Sequence, residues 1–330
     1  MDAMETGISL SDETVNNISS WGWPLYAYGK GCEGEFLYAL CFLAIAFLIF
    51  ALVYGIIRIN YLKTLITTKS SGKKKKSHKL SVKSPIKSVC FKELRLFFTC
   101  PVYLTNKGFG ILLIPIMTVA GIIFSSDVVG FINQFPLLES CLSNETGAII
   151  SFAMVCAVAF LCSMTVVSSA SISLEGKNLW ILKSLPIKSK DVIKGKLLAH
   201  IVLVVPISVV CGLVLSFCFN ANLLFSIMCA LNCGLAGLFV GVLGLIFNLL
   251  APKFDWVNEV TPCKQAMVVM LTMFISMFYS IALAVASGAM LFIFGSIACM
   301  IAQFLLLAIP TAVLYLVLIN WGAKRFEVIE

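Results

Sequence analysis

Of 330 residues, 60% are apolar and only 12% charged, and the mean hydropathy is +1.01, which excludes both a water-soluble globular domain and a disordered chain. The net charge is +8, from 24 Lys and Arg against 16 Asp and Glu. A membrane-crossing helix needs about 20 mostly apolar residues. The sequence predicts seven, at 36–57, 109–125, 147–169, 198–219, 222–249, 266–287 and 289–319. None carries the short alternating pattern of barrel strands, so the expected fold is an all-α polytopic membrane protein.

Residues 1–35 read as an external segment. No basic region precedes an apolar core there, so it is not a cleavable signal. Trp21, Trp23, Tyr26 and Tyr28 suit the headgroup level, where amphipathic rings are favoured. After the first span, 36–57, comes a basic cytoplasmic linker, 58–88. Its run from Lys69 to Lys79, KSSGKKKKSHK, has no apolar residue and repels itself, which predicts a disordered tether drawn to anionic inner-leaflet lipid rather than a nucleic-acid site.

Residues 89–330 form the expected six-helix transmembrane domain, opened by an interfacial amphipathic helix at 89–100. Val89, Phe91, Leu94, Phe97 and Phe98 fall on one helical face, with Lys92, Glu93 and Arg95 on others. Pro101 should end that helix, and Asn106 to Gly110 should turn the chain into the second span.

The polar segment Ser171–Lys196 lies between the third and fourth spans and reads as a helix–turn–helix hinge. Leu179, Trp180 and Leu182 are expected to dip into the interface and Pro186 to interrupt. Ser189 and Asp191 are placed to cap the next helix. In the fifth span Gly234, Gly237, Gly241 and Gly244 recur at helical spacing, a small face suited to close helix packing. Short outer connections at Asn220–Asn222 and Ser287–Ala289 make spans four and five, and six and seven, antiparallel hairpins.

With the N-terminus outside and the C-terminus inside, loops 58–108, 170–197, 250–265 and 320–330 hold 23 of the 24 basic residues; only Lys30 falls outside. Positive loops stay cytoplasmic, so this partition supports span count and orientation together. Most of the 13 cysteines lie in apolar runs, where Cys behaves as a small hydrophobe. Cys32 and Cys141 are the two clearly on the outer side, open to a bridge, with free thiols the default. Asn17 and Asn144 stand in N-x-[ST] triplets on the same side.

Within the predicted span bounds there is no Asp, Glu, Lys or Arg, and His200 sits at the cytoplasmic end of the fourth. Ion-coupled transporters and pumps place ionisable groups at mid-membrane, so this argues against them. Asn232, Asn248, Gln303 and the hydroxyls of Ser163, Thr165, Ser168 and Ser169 are explained by hydrogen bonds between helices. No HExxH, nucleophile elbow or metal-ligand spacing occurs, so no catalytic residue and no metal site are expected. There is no G-x-x-x-x-G-K-[ST] either, and active transport would need a separate ATPase.

Three stretches carry a resemblance: Glu175–Lys196, Asn248–Gln265 and Lys92–Gly110. The order of Glu175, Gly176, Lys177, Trp180, Leu185 and Pro186, then Pro252, Asp255, Trp256, Asn258, Glu259 and Lys264, resembles the permease subunits of bacterial type-2 ABC exporters, specifically a family common in Firmicutes. The resemblance implies a multi-pass subunit of the cell (inner) membrane, paired with an ATP-binding ABC subunit that holds ATP and Mg. An ATPase-coupling loop would then comprise Glu175, Gly176, Lys177, Trp180, Lys183 and Pro186. A second inner loop would comprise Asp255, Trp256, Asn258, Glu259 and Lys264. Members of that family are about twice as long, with two similar halves, and this chain is similar to the C-terminal half preceded by one extra span. That implies a complementary permease half or a second copy as a further partner. The rival expectations are a non-transporting scaffold or immunity-type protein binding a partner through its basic loops, and a secondary transporter of an apolar solute.

Overall fold

The computed structural model of the chain describes residues 23–66, 84–125 and 146–329. The N-terminal residues 1–22 with Trp21 and Asn17, the basic run 69–79, and Cys141 and Asn144 lie outside the described residues. Every described element is helical. Among the described residues six helices are long and apolar enough to cross a membrane, against the seven expected, and within the expected third span Ser151–Cys162 is a shorter apolar helix. The chain divides into two compact units, Met1–Ser81 and Val82–Glu330.

In the first unit, α1 (Trp23–Cys32) folds back on α2 (Phe36–Ile66). Gly34, at φ 101°, makes the turn where a side chain would be strained. Tyr26 meets Tyr38 edge-on at 6.0 Å and Tyr28 meets Phe42 at 5.4 Å. Lys30 pairs with Glu33 at 2.8 Å.

The second unit begins with α3 (Pro85–Thr99), followed after Cys100 by α4 (Pro101–Ile123). Proline suits the first helical position, where its missing N–H costs nothing, so Pro101 both ends one helix and opens the next. The expected turn at Asn106–Gly110 does not occur; α4 runs through it. Asn106 turns its amide back onto the Val102 carbonyl at 2.8 Å, satisfying itself within the helix.

Next, α5 (Thr146–Cys162) ends seven residues before the predicted end of the third span. The hydroxyls of Ser163, Thr165 and Ser169 donate to the carbonyls of Phe160, Cys162 and Val166 at 2.6, 2.8 and 2.7 Å. Such local bonds compete with the helical ladder. The chain continues as two 3-10 turns, Ser168–Ala170 and Ser173–Asn178, and then α6 (Leu179–Ser184). Residues 165–176 are all buried, so this irregular backbone is sheltered by protein.

Helix α7 (Ser189–Cys218) starts nine residues before the predicted fourth span and therefore includes Lys196. It also takes in Lys190, Asp191 and Lys194, and Lys107 falls inside α4, so these helices carry charge beyond the predicted span bounds, which themselves hold none. After a turn at Asn220 (φ 55°) comes α8 (Leu223–Leu250), mostly buried and the hub on which α5, α7, α9 and α10 pack. It is apolar all round, as a central helix must be. Its glycines seat its neighbours: a Cβ at Gly234 would stand 2.8 Å from Val209 and one at Gly237 3.3 Å from Val204, while Gly241 faces His200 and Gly244 faces Ser168.

The last hairpin is α9 (Met267–Phe294) and α10 (Ser296–Val317). Their turn lies at Gly295, φ 84°, and not at Ser287–Ala289, which stays inside α9 with Gly288 in the helix and the Ser287 hydroxyl bonded back to the Leu283 carbonyl. Pro310 cannot donate to the Leu306 carbonyl four residues back, and the Tyr279 hydroxyl of α9 takes up that acceptor. Tyr279 in turn stacks on Phe239 of α8 at 4.4 Å. A π-turn, Leu318–Gly322, and α11 (Ala323–Val328) close the chain.

Candidate functional site

The two polar connecting segments, distant in sequence, are knitted together at Ser173. Asn248, near the end of α8, accepts from the Ile172 and Ser173 amides at 2.7 and 3.1 Å and donates to the Ser173 hydroxyl at 2.7 Å. The Lys253 amide donates to the same hydroxyl at 3.1 Å, and the Trp256 indole donates to the Ser173 carbonyl at 2.8 Å. Trp256 lies against Gly176. There φ is 52° and a Cβ would come within 2.9 Å of the indole, so this position requires glycine on two counts. The Ile172 and Ser173 amides and the Ser173 carbonyl thereby gain partners, whereas the buried hydroxyls of Ser168 and Ser171 have none among the described residues.

Beneath this loop lies a cluster of four charges, three of them buried and the fourth, Lys92, half exposed. Lys92 of α3 donates to both oxygens of Glu175 at 2.7 and 2.6 Å. Lys196 of α7, with no exposed side-chain surface, donates to Glu175 at 2.9 Å, to the Ser171 carbonyl at 2.9 Å and to Glu93 of α3. The four charges sum to zero, the condition under which buried ions are tolerated. The two carboxylates differ. Burial raises Glu93 above the usual carboxylate range, and Lys196 only partly opposes it. Burial acts the same way on Glu175, but the ammoniums of Lys196 and Lys92 outweigh it and hold its carboxyl below that range.

This cluster corrects the reading of the interfacial helix. Glu93 faces inward with Val89, Cys90 and Phe97, while Phe91 and Phe98 stand 57% and 63% exposed. The apolar face is therefore split, because the helix must deliver Glu93 to Lys196. Leu179 and Leu182 are likewise buried in protein rather than dipping into the interface. Ser189 does not cap α7: Lys188 precedes the helix, and the Ser189 hydroxyl donates to Glu327 at 2.8 Å. Asp191 is in the first turn as expected.

The predicted coupling residues thus divide into an underside and a surface. Glu175 and Gly176 are buried, and Lys183 reaches the carbonyls of Glu327 and Ile329, tying α6 to the chain's end. Lys177, Trp180 and Pro186 are exposed, Trp180 at 66%. Gly176, Lys177, Trp180 and Lys183 line an open groove of about 530 Å³ with Asp255 of the second inner loop. In that second loop Trp256 is part-buried and Asn258 accepts from the Val260 amide at 3.1 Å. Glu259 accepts from the Cys100 thiol at 2.8 Å, and Lys264 is exposed. Burial and the Glu259 contact both raise the Cys100 thiol, keeping it a donor.

Sequence reasoning missed Lys92 and Lys196 as partners of Glu175, and Glu93 as the second partner of Lys196. The only available signal was one of composition: two acids and two bases bordering long apolar runs. Among the described residues no group of three His, Cys, Asp or Glu side chains is placed to hold a metal ion.

Helices of membrane-spanning length around an apolar hub, with one ordered polar surface built from two connecting segments, define a multi-pass α-helical membrane protein. Over residues 16–319 the sequence matches the family described as a membrane protein of 12 TMs, and the chain belongs to that family. No curated protein and no solved structure matches it.

Proposed function

We propose that this chain is the permease subunit of an ATP-driven, ABC-type exporter in the cell (inner) membrane, coupled to a separate ATPase that carries ATP and Mg. It has no catalytic role of its own, and a second permease half or another copy completes the pathway. One observation supports the reading: residues of 176–183 and 252–255, about 75 positions apart, line one open groove that includes Lys177, Trp180 and Asp255, while the underside of the same loop is bonded to α3, α7 and α8. A partner shifts a conformational equilibrium only through differential contact with its two states. An ATPase pressing on Trp180 would load Glu175, and through Lys196 and Lys92 the helices that frame the membrane domain.

The test uses point changes on the groove surface, because replacing the whole of 171–196 would remove the buried underside. Trp180→Ala with Lys177→Ala should abolish co-purification of a P-loop ATPase in mild detergent while leaving helical content and melting temperature unchanged. Retention of the ATPase by that variant would sink the docking surface. Recovery of no ATPase with the unaltered chain would favour the scaffold reading.

A further inference from the structure

A second groove, of about 460 Å³, opens where the start of α7 meets the end of the chain. Lys188, Ser189 and Lys190 line one side, and Asn320, Lys324 and Glu327 the other. Three lysines and one glutamate share this lining, and the Glu327 carboxylate already accepts the Ser189 hydroxyl at 2.8 Å. Among the described residues the ion pairs involve only Lys30, Lys92 and Lys196, so none of the three groove lysines has a carboxylate at pairing distance. The arrangement is fixed from behind, since Lys183 holds the backbone of α11 at Glu327 and Ile329. Like charges gathered on a fixed frame repel one another unless an anion lies between them.

Depth decides which anion. Lys188 immediately precedes one apolar span, and Asn320 and Lys324 lie at the end of another, Ser296–Val328. Both belong to loops that the charge partition assigns to the cytoplasmic side, and Trp321, part-exposed, is a residue suited to the interface. Basic pockets between spans at this level suit lipid headgroups, and the cytoplasmic leaflet is the anionic one.

We propose that the groove formed by Lys188, Lys190, Lys324 and Asn320 binds the phosphate of an anionic phospholipid headgroup. The site stands apart from the Trp180 groove and does not depend on ATPase coupling. The Asn320 amide supplies a neutral donor to the same phosphate. Glu327, held by Ser189, reduces the site to a net two positive charges and so limits how tightly the lipid is kept.

The test reconstitutes the full chain in nanodiscs of phosphatidylcholine alone or mixed with phosphatidylglycerol. Bound lipid is counted by native mass spectrometry and the melting temperature recorded. The unaltered chain should retain phosphatidylglycerol selectively and melt higher in the mixture. Lys188→Gln with Lys190→Gln and Lys324→Gln should lower that selectivity roughly 100-fold, at an unchanged melting temperature in phosphatidylcholine, since each lysine near an anionic surface contributes comparably. Glu327→Gln should raise retention, a gain that misfolding cannot mimic. Neutralising Lys73, Lys74, Lys75 and Lys76 instead, the control for diffuse attraction, should leave selective retention in place. Equal retention by the triple variant would overturn the proposal, as would displacement of the lipid by inorganic phosphate, which would assign the site to a soluble anion. Loss of a protein partner by the triple variant with retention intact would also overturn it, in favour of a docking face.

Discussion

Lys196 is the residue whose loss should cost the second unit most. Its ammonium is fully buried and has three acceptors: Glu93, Glu175 and the Ser171 carbonyl. In Lys196→Met the length is kept and the charge removed. Glu175 retains Lys92 at 2.6–2.7 Å, but Glu93, 3% exposed, loses its hydrogen-bonding partner. Removing one member of a buried pair costs about 3–5 kcal/mol. Adding Glu93→Gln eliminates the stranded charge and leaves only the lost contacts to Glu175 and Ser171, about 1–2 kcal/mol. The double variant should therefore be about 2–3 kcal/mol more stable than the single one, although it carries one more substitution. Equilibrium unfolding in mixed detergent and dodecyl sulfate micelles, followed by circular dichroism, measures the difference. Mild acid should rescue Lys196→Met alone, because Glu93 is already held above the usual range and protonates readily. A double variant no more stable than the single, or a single variant as stable as the unaltered chain, would refute the reasoning.

The acid limb of stability should come from Glu175. Its carboxyl is depressed in the fold from an ordinary value of 4.5, so its contribution is present above that value and lost as pH falls through the folded one. Glu93 is raised and acts with the opposite sign, its contribution being lost as pH rises, so Glu93→Gln should steepen the acid loss seen in thermal melts between neutral and acid pH. Asn248→Leu strands the Ile172 and Ser173 amides, leaving the Ser173 hydroxyl to Lys253 alone, and should cost about 2–4 kcal/mol and expose the segment after Leu174 to limited proteolysis. Gly176→Ala combines a left-handed backbone, about 1–2 kcal/mol, with a methyl group driven into Trp256. It should lower the melting temperature and red-shift the tryptophan emission, and unchanged emission would show that the indole does not rest on that glycine.

What the sequence determined by itself is set by the solvent. A bilayer core requires long apolar helices, and charge must stay at the ends, so composition and the distribution of Lys and Arg were enough to find the helical class, the six helices long enough to cross and the polar connecting segments 171–196 and 250–265, whereas the expected third span, 147–169, holds only the shorter apolar helix Ser151–Cys162. Helix ends were less legible: α5 stops at Cys162 because hydroxyls bond back to its last carbonyls, and α9 continues to Phe294 because the reversal waits for Gly295. Only the tertiary structure decided which side of the polar segments each residue faces. Glu175 and Trp180 are five residues apart, yet one closes a buried charge cluster and the other stands in solvent. The difference arises because Lys92 and Lys196, 83 and 21 positions away, meet Glu175 in space. Apolar patterning records exposure to lipid and water through a residue's own type, whereas ion pairing depends on a partner whose position along the chain nothing local encodes.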